Sequence, residues 1–416
     1  MVTEKVSRYL VVSDNEYVDE SGMYVRLLYG TRLAKLIVAE ARAAEALRAG
    51  RLDLVPAETL AACRQVRIVV PADQDELPTV LGRNRTAARD VSSVHIALLP
   101  TSYCNMGCAY CGQEHTPSGL TKDHRDQVRA RVLRAMSLPS TTAARIDWFG
   151  SEPMLGYAII RDLARDFTRV ADERGLRYSS VIATSGTLLT ARNMDVLIRQ
   201  VRITNFEITV DAPPGIHDVH RPLKSGRGSF WKIVQTVREA VGEPDYSSVQ
   251  FQFRTNVDVH NQESIPRYLE LMAELGFARP NVSFSIQPVH SWGNDVSQIE
   301  IGKRDFAERE LGWLDLIAEY GLGTVLLPTA PKMVVCPLFD DWNDEVEQVK
   351  SWCTGCVFLP TCGGSGPEAW HEGHPPCPSY KLNAQGRLDL IARNCGLSVV
   401  ATAEAPVAEG ASDLMS

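Results

Sequence analysis

Nothing in this chain of 416 residues approaches the roughly 18 consecutive apolar residues that a membrane helix needs. The opening residues, MVTEKVSRYLVVSDNEY, lack an apolar core of the length a secretory signal requires, so a cytoplasmic protein with no membrane partner is expected. An excess of positive charge is missing too: 43 Lys and Arg face 51 Asp and Glu, for a net charge of -8. With no basic stripe to meet phosphates, nucleic acid is excluded as the main partner. Apolar residues make up 44% and charged residues 23%, the mixture of an ordinary soluble protein. The length implies two or three domains.

Cysteine is what the chain does have. Ten cysteines in a reducing compartment are too many for packing alone and wrongly placed for disulfides. Cys63 stands apart in a helical pattern and reads as a small core residue. Three others fall in residues 101–115, TSYCNMGCAYCGQEH, where Cys104, Cys108 and Cys111 follow an apolar run at C-x-x-x-C-x-x-C spacing. A tetranuclear iron–sulfur cluster usually takes four cysteines, so three on one loop suggest an iron left open for a ligand that is not protein. A zinc knuckle is the alternative reading, although zinc sites prefer C-x-x-C pairs with a second pair downstream. The spacing, with Tyr110 before the third cysteine, resembles the signature of the radical S-adenosylmethionine (SAM) superfamily. That resemblance implies a [4Fe-4S] cluster on the three cysteines with SAM at its open iron. Reductive cleavage would then give methionine and a 5′-deoxyadenosyl radical that takes hydrogen from substrate.

Residues 1–90 read as a small α+β module. Tyr9 to Val12 and Met23 to Leu28 look like strands, and Leu33, Leu36, Ile37, Ala41, Ala44 and Leu47 recur at helical spacing. A second helix is expected near 56–64 and a strand at 66–70. This order is compatible with a winged-helix-like module of the kind that binds the leader of a precursor peptide as an added strand. From His95 to Ile286 strands and helices alternate six times, which implies a parallel sheet with helices outside. Six units fit the partial (β/α)6 TIM-like barrel of the superfamily, expected over residues 91–300, with the chemistry at the C-terminal ends of the strands.

Several motifs fall at those ends. FGSEP at 149–153 resembles the family's GGEP, which implies that Gly150, Ser151 and Glu152 hold the SAM amino group; Ser151 replaces a glycine, and it also suits a helix N-cap. TSGT at 184–187 resembles TNGT, placing Thr184 and Ser185 in the SAM pocket. FEITVDAP at 206–213 resembles S-x-D-G-P, with Thr209 facing SAM. HDVHR at 217–221 looks like the HD-x-x-R of the peptide-modifying branch. Arg221 is the expected partner of the SAM carboxylate, Arg254 is the competing candidate, and Ile286 is expected against the adenine.

After 301 the rhythm stops and cysteine, proline and glycine take over. Cys353, Cys356, Cys362 and Cys377 form C-x-x-C-x5-C with a fourth cysteine further on. The foursome is a ligand set for a cluster or for zinc. It resembles the SPASM extension, expected over 301–397, which implies an auxiliary [4Fe-4S] cluster on these four. A further ligand usual in that extension is replaced by Gly366, so one complete auxiliary cluster is expected. A second would need Cys336, Cys395 and ligands other than cysteine. Residues 398–416 lack periodicity and are expected to be disordered.

The resemblance implies a maturase of a ribosomally made precursor peptide that forms an intramolecular carbon–carbon, carbon–oxygen or thioether crosslink. It also implies a flavodoxin or ferredoxin as electron donor. A formylglycine-forming anaerobic sulfatase-maturing enzyme and a peptide epimerase are the alternatives, and a non-catalytic scaffold is a third. No catalytic acid or base is assigned; Asp340, Asp341, Asp344, Glu368, His371 and His374 lie near the auxiliary cysteines in sequence.

Overall fold

Residues 3–116, 119–291, 293–332, 353–364 and 377–400 are described by the computed structural model. The chain begins with short strands, β1 (Glu4–Val6), β2 (Leu10–Val12), β3 (Tyr17–Val18), β4 (Tyr24–Gly30) and β5 (Lys35–Glu40). Helices α1 (Ala41–Arg48) and α2 (Ala57–Gln65), strand β6 (Val69–Pro71) and helix α3 (Glu76–Arg89) follow. Strand β4 is central, pairing with β2 and β3 on one side and with β5 on the other, all antiparallel. Its residues Val25 to Gly30, Arg26 included, are all buried because both faces of the strand are covered. Leu28 packs with Ala43, Ala44, Leu47 and Cys63 of α1 and α2. The small alanines of α1 let helix and sheet approach closely.

The helical spacing read from Leu33 onward holds only from Ala41; Lys35–Glu40 is a strand. Leu36, Ile37 and Val38 favour extended backbone, and full register with β4 supplies their hydrogen bonds.

The second stretch carries β7 (Ser93–Leu98), α4 (Lys122–Met136), β8 (Ala143–Trp148), α5 (Tyr157–Arg174), β9 (Arg177–Thr184), α6 (Ala191–Arg199) and β10 (Ile203–Thr209). It continues with α7 (Pro214–His220), α8 (Phe230–Gly242), β11 (Gln250–Val257), α9 (Ile265–Glu274), β12 (Val282–Pro288) and α10 (Lys303–Glu319). Strands β7 to β12 form one parallel sheet in chain order, the connectivity of a partial (β/α)6 barrel. The fold is α/β. One face of the sheet is apolar: Phe206 stacks on Phe251, Phe253 on Phe284, and Tyr268 of α9 meets Phe284 edge-on. The alternation of strand side chains sends Arg145, Asp147, Glu207, Gln252, Arg254, Asn256 and Ser285 to the other face, where all are at least partly exposed.

Beyond α10 the described residues form α11 (Leu359–Cys362), α12 (Ala384–Asn394) and β13 (Ser398–Val399). The chain divides into two compact units: Arg89–Val325, and a unit made of both ends, Met1–Ala88 with Leu326–Ser416. In the latter, Val25, Leu27 and Tyr29 of β4 share a core with Leu327, Phe358, Ala384, Leu388 and Ala392. The Tyr17 hydroxyl donates to Asp389 at 2.7 Å, and that of Tyr29 to the Pro328 carbonyl at 2.7 Å. Ser398–Val399, at the start of the stretch expected to be disordered, is instead a strand paired antiparallel with β3, whose backbone satisfies its hydrogen bonds; residues 401–416 lie outside the described residues.

Candidate active site

The cysteine loop begins where β7 ends, and short contacts fix its path. Residue Met106 bridges to Leu223, Gly107 N donates to the Pro222 carbonyl at 2.8 Å and Lys224 N to the Asn105 carbonyl at 2.9 Å. Cys104 is buried and accepts from Met106 N at 3.4 Å, while Cys111 N donates to the Cys108 carbonyl at 3.2 Å. Burial pushes the Cys104 thiol up to about 11 and raises that of Cys108, and the Arg221 guanidinium pulls against both shifts. Free thiols at these positions stay protonated until a positive centre displaces the proton. The unit Arg89–Val325 contains no other cysteine, so it offers three thiolates.

Around the loop the strand ends interlock. Gly150 takes a φ of +101°, and an added Cβ would lie 2.9 Å from Leu99, which explains a glycine here. Ser151 Oγ donates to the Ser102 carbonyl at 3.1 Å and lies 3.1 Å from His115 Nδ1, and His115 Nε2 lies 3.8 Å from Cys111 Sγ. Glu152 is fully buried. It accepts from Met154 N at 2.9 Å, Thr184 Oγ1 at 2.7 Å, Ser185 N at 2.8 Å and the Ser185 hydroxyl. FGSEP and TSGT are therefore joined by one carboxylate. Asn105 of the cysteine loop adds to this by donating to Thr187 Oγ1 at 3.0 Å.

A second network lies under Tyr110. Its hydroxyl donates to Asp211 at 2.7 Å and accepts from Arg221 and, at 3.0 Å, from Asn256. Asp211 is fully buried, and His220 bridges it at 3.1 Å to Asp258 at 2.8 Å. Burial disfavours the imidazolium, but the two carboxylates outweigh it and push His220 up to about 9. His217 goes the other way: burial, with Arg221 nearby, pushes it down to about 4, and it accepts from Asp211 N at 3.2 Å. Asp218 accepts from Ser229 N and Phe230 N at the start of α8.

The residues singled out from sequence thus separate. Cys104, Cys108, Cys111, Tyr110, Glu152, Thr184, Ser185 and Arg221 belong to two adjoining networks. Arg254 lies on the open sheet face opposite Thr209 in register, held by Asn256 at 3.1 Å and Glu207 at 3.5 Å. Ile286 is buried and shares the parity of Val282 and Phe284, the face packed against helices, opposite to that of Arg254. Sequence reasoning gave no role to Asn105, Asp211, His220, Asn256 or Asp258, although Asp211 stands in FEITVDAP and His220 in HDVHR. Arg221 Nε and Asn105 Oδ1 are buried with no hydrogen-bond partner. Buried polar groups are normally satisfied, so Arg221 Nε is left to meet an acceptor and Asn105 Oδ1 a donor.

In the other unit Cys353, Cys356, Cys362 and Cys377 line one small cavity with Leu359, Gly364 and Lys381. Among the described residues no three His, Cys, Asp or Glu side chains stand positioned for a single metal ion; the four thiols line a shared space. Burial pushes the Cys353 thiol up to about 12 and raises that of Cys356. Cys395 is exposed at the end of α12, away from these four. Cys336, Asp340, Asp341, Asp344, Gly366, Glu368, His371 and His374 lie outside the described residues.

Parts of the chain are similar to known proteins. Residues 98–243 match the model of the Radical SAM superfamily. An uncharacterized protein of a Synechocystis species is 28% identical over 141 residues, 32% of this chain and 34% of that protein. A serine-type anaerobic sulfatase-maturating enzyme of Bacteroides thetaiotaomicron is 23% identical over 235 residues, 47% of this chain and 53% of the enzyme. The matches thus span about a third and about half of the lengths of these two relatives. Among solved structures, Streptococcus suis SuiB bound to the precursor peptide SuiA is 12% identical with a TM-score of 0.41, covering 86% of this chain and 79% of that one. From the match over 98–243, with three cysteines on the loop after the first barrel strand, the chain carries a radical SAM superfamily domain.

Proposed function

We propose that this protein is a maturase of a ribosomally made precursor peptide and closes an intramolecular crosslink in it. The observation that carries the reading is the loop of three cysteines at the first strand's C-terminal end, inside the matched segment. Cys104, Cys108 and Cys111 would hold a [4Fe-4S] cluster, which would supply the electron for reductive cleavage of SAM and so the radical chemistry that removes hydrogen from the peptide. Arg221, through its free Nε, takes the SAM carboxylate, and Asn105 Oδ1 takes its ammonium group. Glu152, saturated by protein donors, positions Thr184 and Ser185 at the pocket wall. Tyr110 and Asp211 hold Arg221 in place.

Closing the crosslink from the peptide radical releases one proton and one electron. The four-cysteine cavity is the destination proposed for the electron, and a flavodoxin or ferredoxin is the proposed donor at the other site. The sheet of the N-terminal segment is the proposed leader-binding element, with β5 paired only to β4 among the described residues and so the edge proposed to take an added strand. No helix among the described residues is long and apolar enough to cross a membrane, and the protein is proposed to act in the cytoplasm.

The likeness to a sulfatase-maturating enzyme favours a second reading, oxidation of a serine or cysteine to formylglycine. Anaerobic co-expression with precursor peptides encoded beside the gene separates the two. Loss of two hydrogens in one peptide, mapped by fragmentation, is the result expected. Unchanged peptides together with formylglycine in a co-expressed sulfatase favour the second reading. In either case Cys104→Ala, Cys108→Ala and Cys111→Ala together should abolish 5′-deoxyadenosine formation and leave the auxiliary iron spectrum intact; retained cleavage overturns both readings.

A further inference from the structure

Lys381 ends a short turn four residues after Cys377, and its Nζ donates to Cys377 Sγ at 3.3 Å. The lysine is half-buried and lines the same cavity as the four cysteines, where none of the described lining residues is Asp or Glu. Its charge reaches Cys353 and Cys356 as well as Cys377. Two arginines of the same unit bond to the loop backbone: Arg8 donates to the Thr354 carbonyl and Arg83 to that of Pro360 at 3.3 Å. These two brace the loop backbone, whereas the ammonium of Lys381 is aimed at sulfur.

We propose that Lys381 is a positioning residue that sets the reduction potential of the auxiliary cluster through its hydrogen bond to Cys377. The inference rests on the reading above that the four cysteines hold an iron–sulfur cluster. Reduction adds one negative charge to a site already carrying four thiolates. A fixed ammonium at hydrogen-bond distance from one of those sulfurs stabilises the reduced form more than the oxidised form, which raises the potential. Hydrogen bonds to sulfur and local charge are among the factors that tune such clusters. The potential decides whether the electron released by crosslink closure is accepted at this site.

The test uses the full chain carrying Cys104→Ala, Cys108→Ala and Cys111→Ala, so that only the auxiliary cluster is observed, in an EPR-monitored redox titration. Adding Lys381→Met should make the cluster harder to reduce, with a roughly tenfold fall in the reduced-to-oxidised ratio at a given potential, about 59 mV for one electron. Lys381→Arg should restore the original value, and Lys381→Gln, which keeps a donor without the charge, should fall between. An intact cluster whose potential is the same in all variants overturns the proposal. Loss of the cluster in both Lys381→Met and Lys381→Gln, with retention in Lys381→Arg, overturns it in favour of a role in assembly. Iron and sulfide missing from the parent protein overturn the underlying cluster reading instead.

Discussion

His220 is the residue at which the chemistry of the barrel site and its stability meet. It stands between Asp211 and Asp258, under the Tyr110 ring at 4.9 Å, with Arg221 and His217 also nearby. Removing a partner from a buried ion pair leaves an uncompensated charge, which costs about 3–5 kcal/mol. His220→Gln is therefore expected to lower unfolding stability at pH 7 by that amount, measured in urea, and to weaken SAM binding as Arg221 loses its support. An equally stable variant would mean that the carboxylates do not depend on this histidine. The folded value of about 9 lies above the ordinary 6.5. The contribution of His220 is thus full below pH 6.5 and is lost as pH rises through about 9. The parent protein should lose stability across that window, and His220→Gln should not share that loss. None of this was legible in sequence. The HD-x-x-R pattern drew attention to Arg221, but the partners of His220 and Tyr110 lie 9, 38 and 101 residues away along the chain. The cysteine motif was legible because its spacing is local.

At the scale of elements, the six barrel strands were readable because their apolar residues fall between regular helices, and the ends of the first four were marked by short motifs. The orientation of those ends was less readable. Ile286 looked like a pocket residue because it is apolar and late in the sixth strand, yet strand parity places it on the helix-facing side with Phe284. Parity is set by register, and a one-residue uncertainty in register reverses the face. Gly150 tests how tightly the ends are held. Its φ of +101° and the 2.9 Å approach of an added Cβ to Leu99 make Gly150→Ala costly in backbone strain, about 1–3 kcal/mol. The loop carrying Ser151 and Glu152 should shift with it. The expected outcome is a lower melting temperature with reduced SAM affinity, measured by calorimetry on the anaerobically reconstituted protein. Unchanged affinity would separate the loop from the pocket.

For the whole molecule, the decisive fact is that the unit with the auxiliary cysteines is built from both ends of the chain. Read along the sequence, residues 1–90 and 301–397 are separate modules, because periodicity reports neighbours in the chain and says nothing of contacts some 350 residues apart. Folding puts Leu27 and Tyr29 against Leu388 and Phe358, while the Thr31 hydroxyl donates to the Val357 carbonyl at 2.5 Å. An element proposed to bind a leader peptide is thus also part of the wall that holds the cysteine loop. Leu388 is fully buried, and Leu388→Ala should cost about 2–5 kcal/mol through lost burial and the cavity left behind. Because the core is shared, the loss should not stay in α12. Hydrogen exchange should quicken in β4, far away in sequence, together with α11, while β10 and β11 of the other unit keep their protection. Faster exchange in α12 alone would show that the two ends fold independently. If they open together, excising residues 1–90 removes more than a leader site: it uncovers Phe358 and Leu388 and takes with it the support of the four cysteines, so a truncated chain is the wrong material for testing either role.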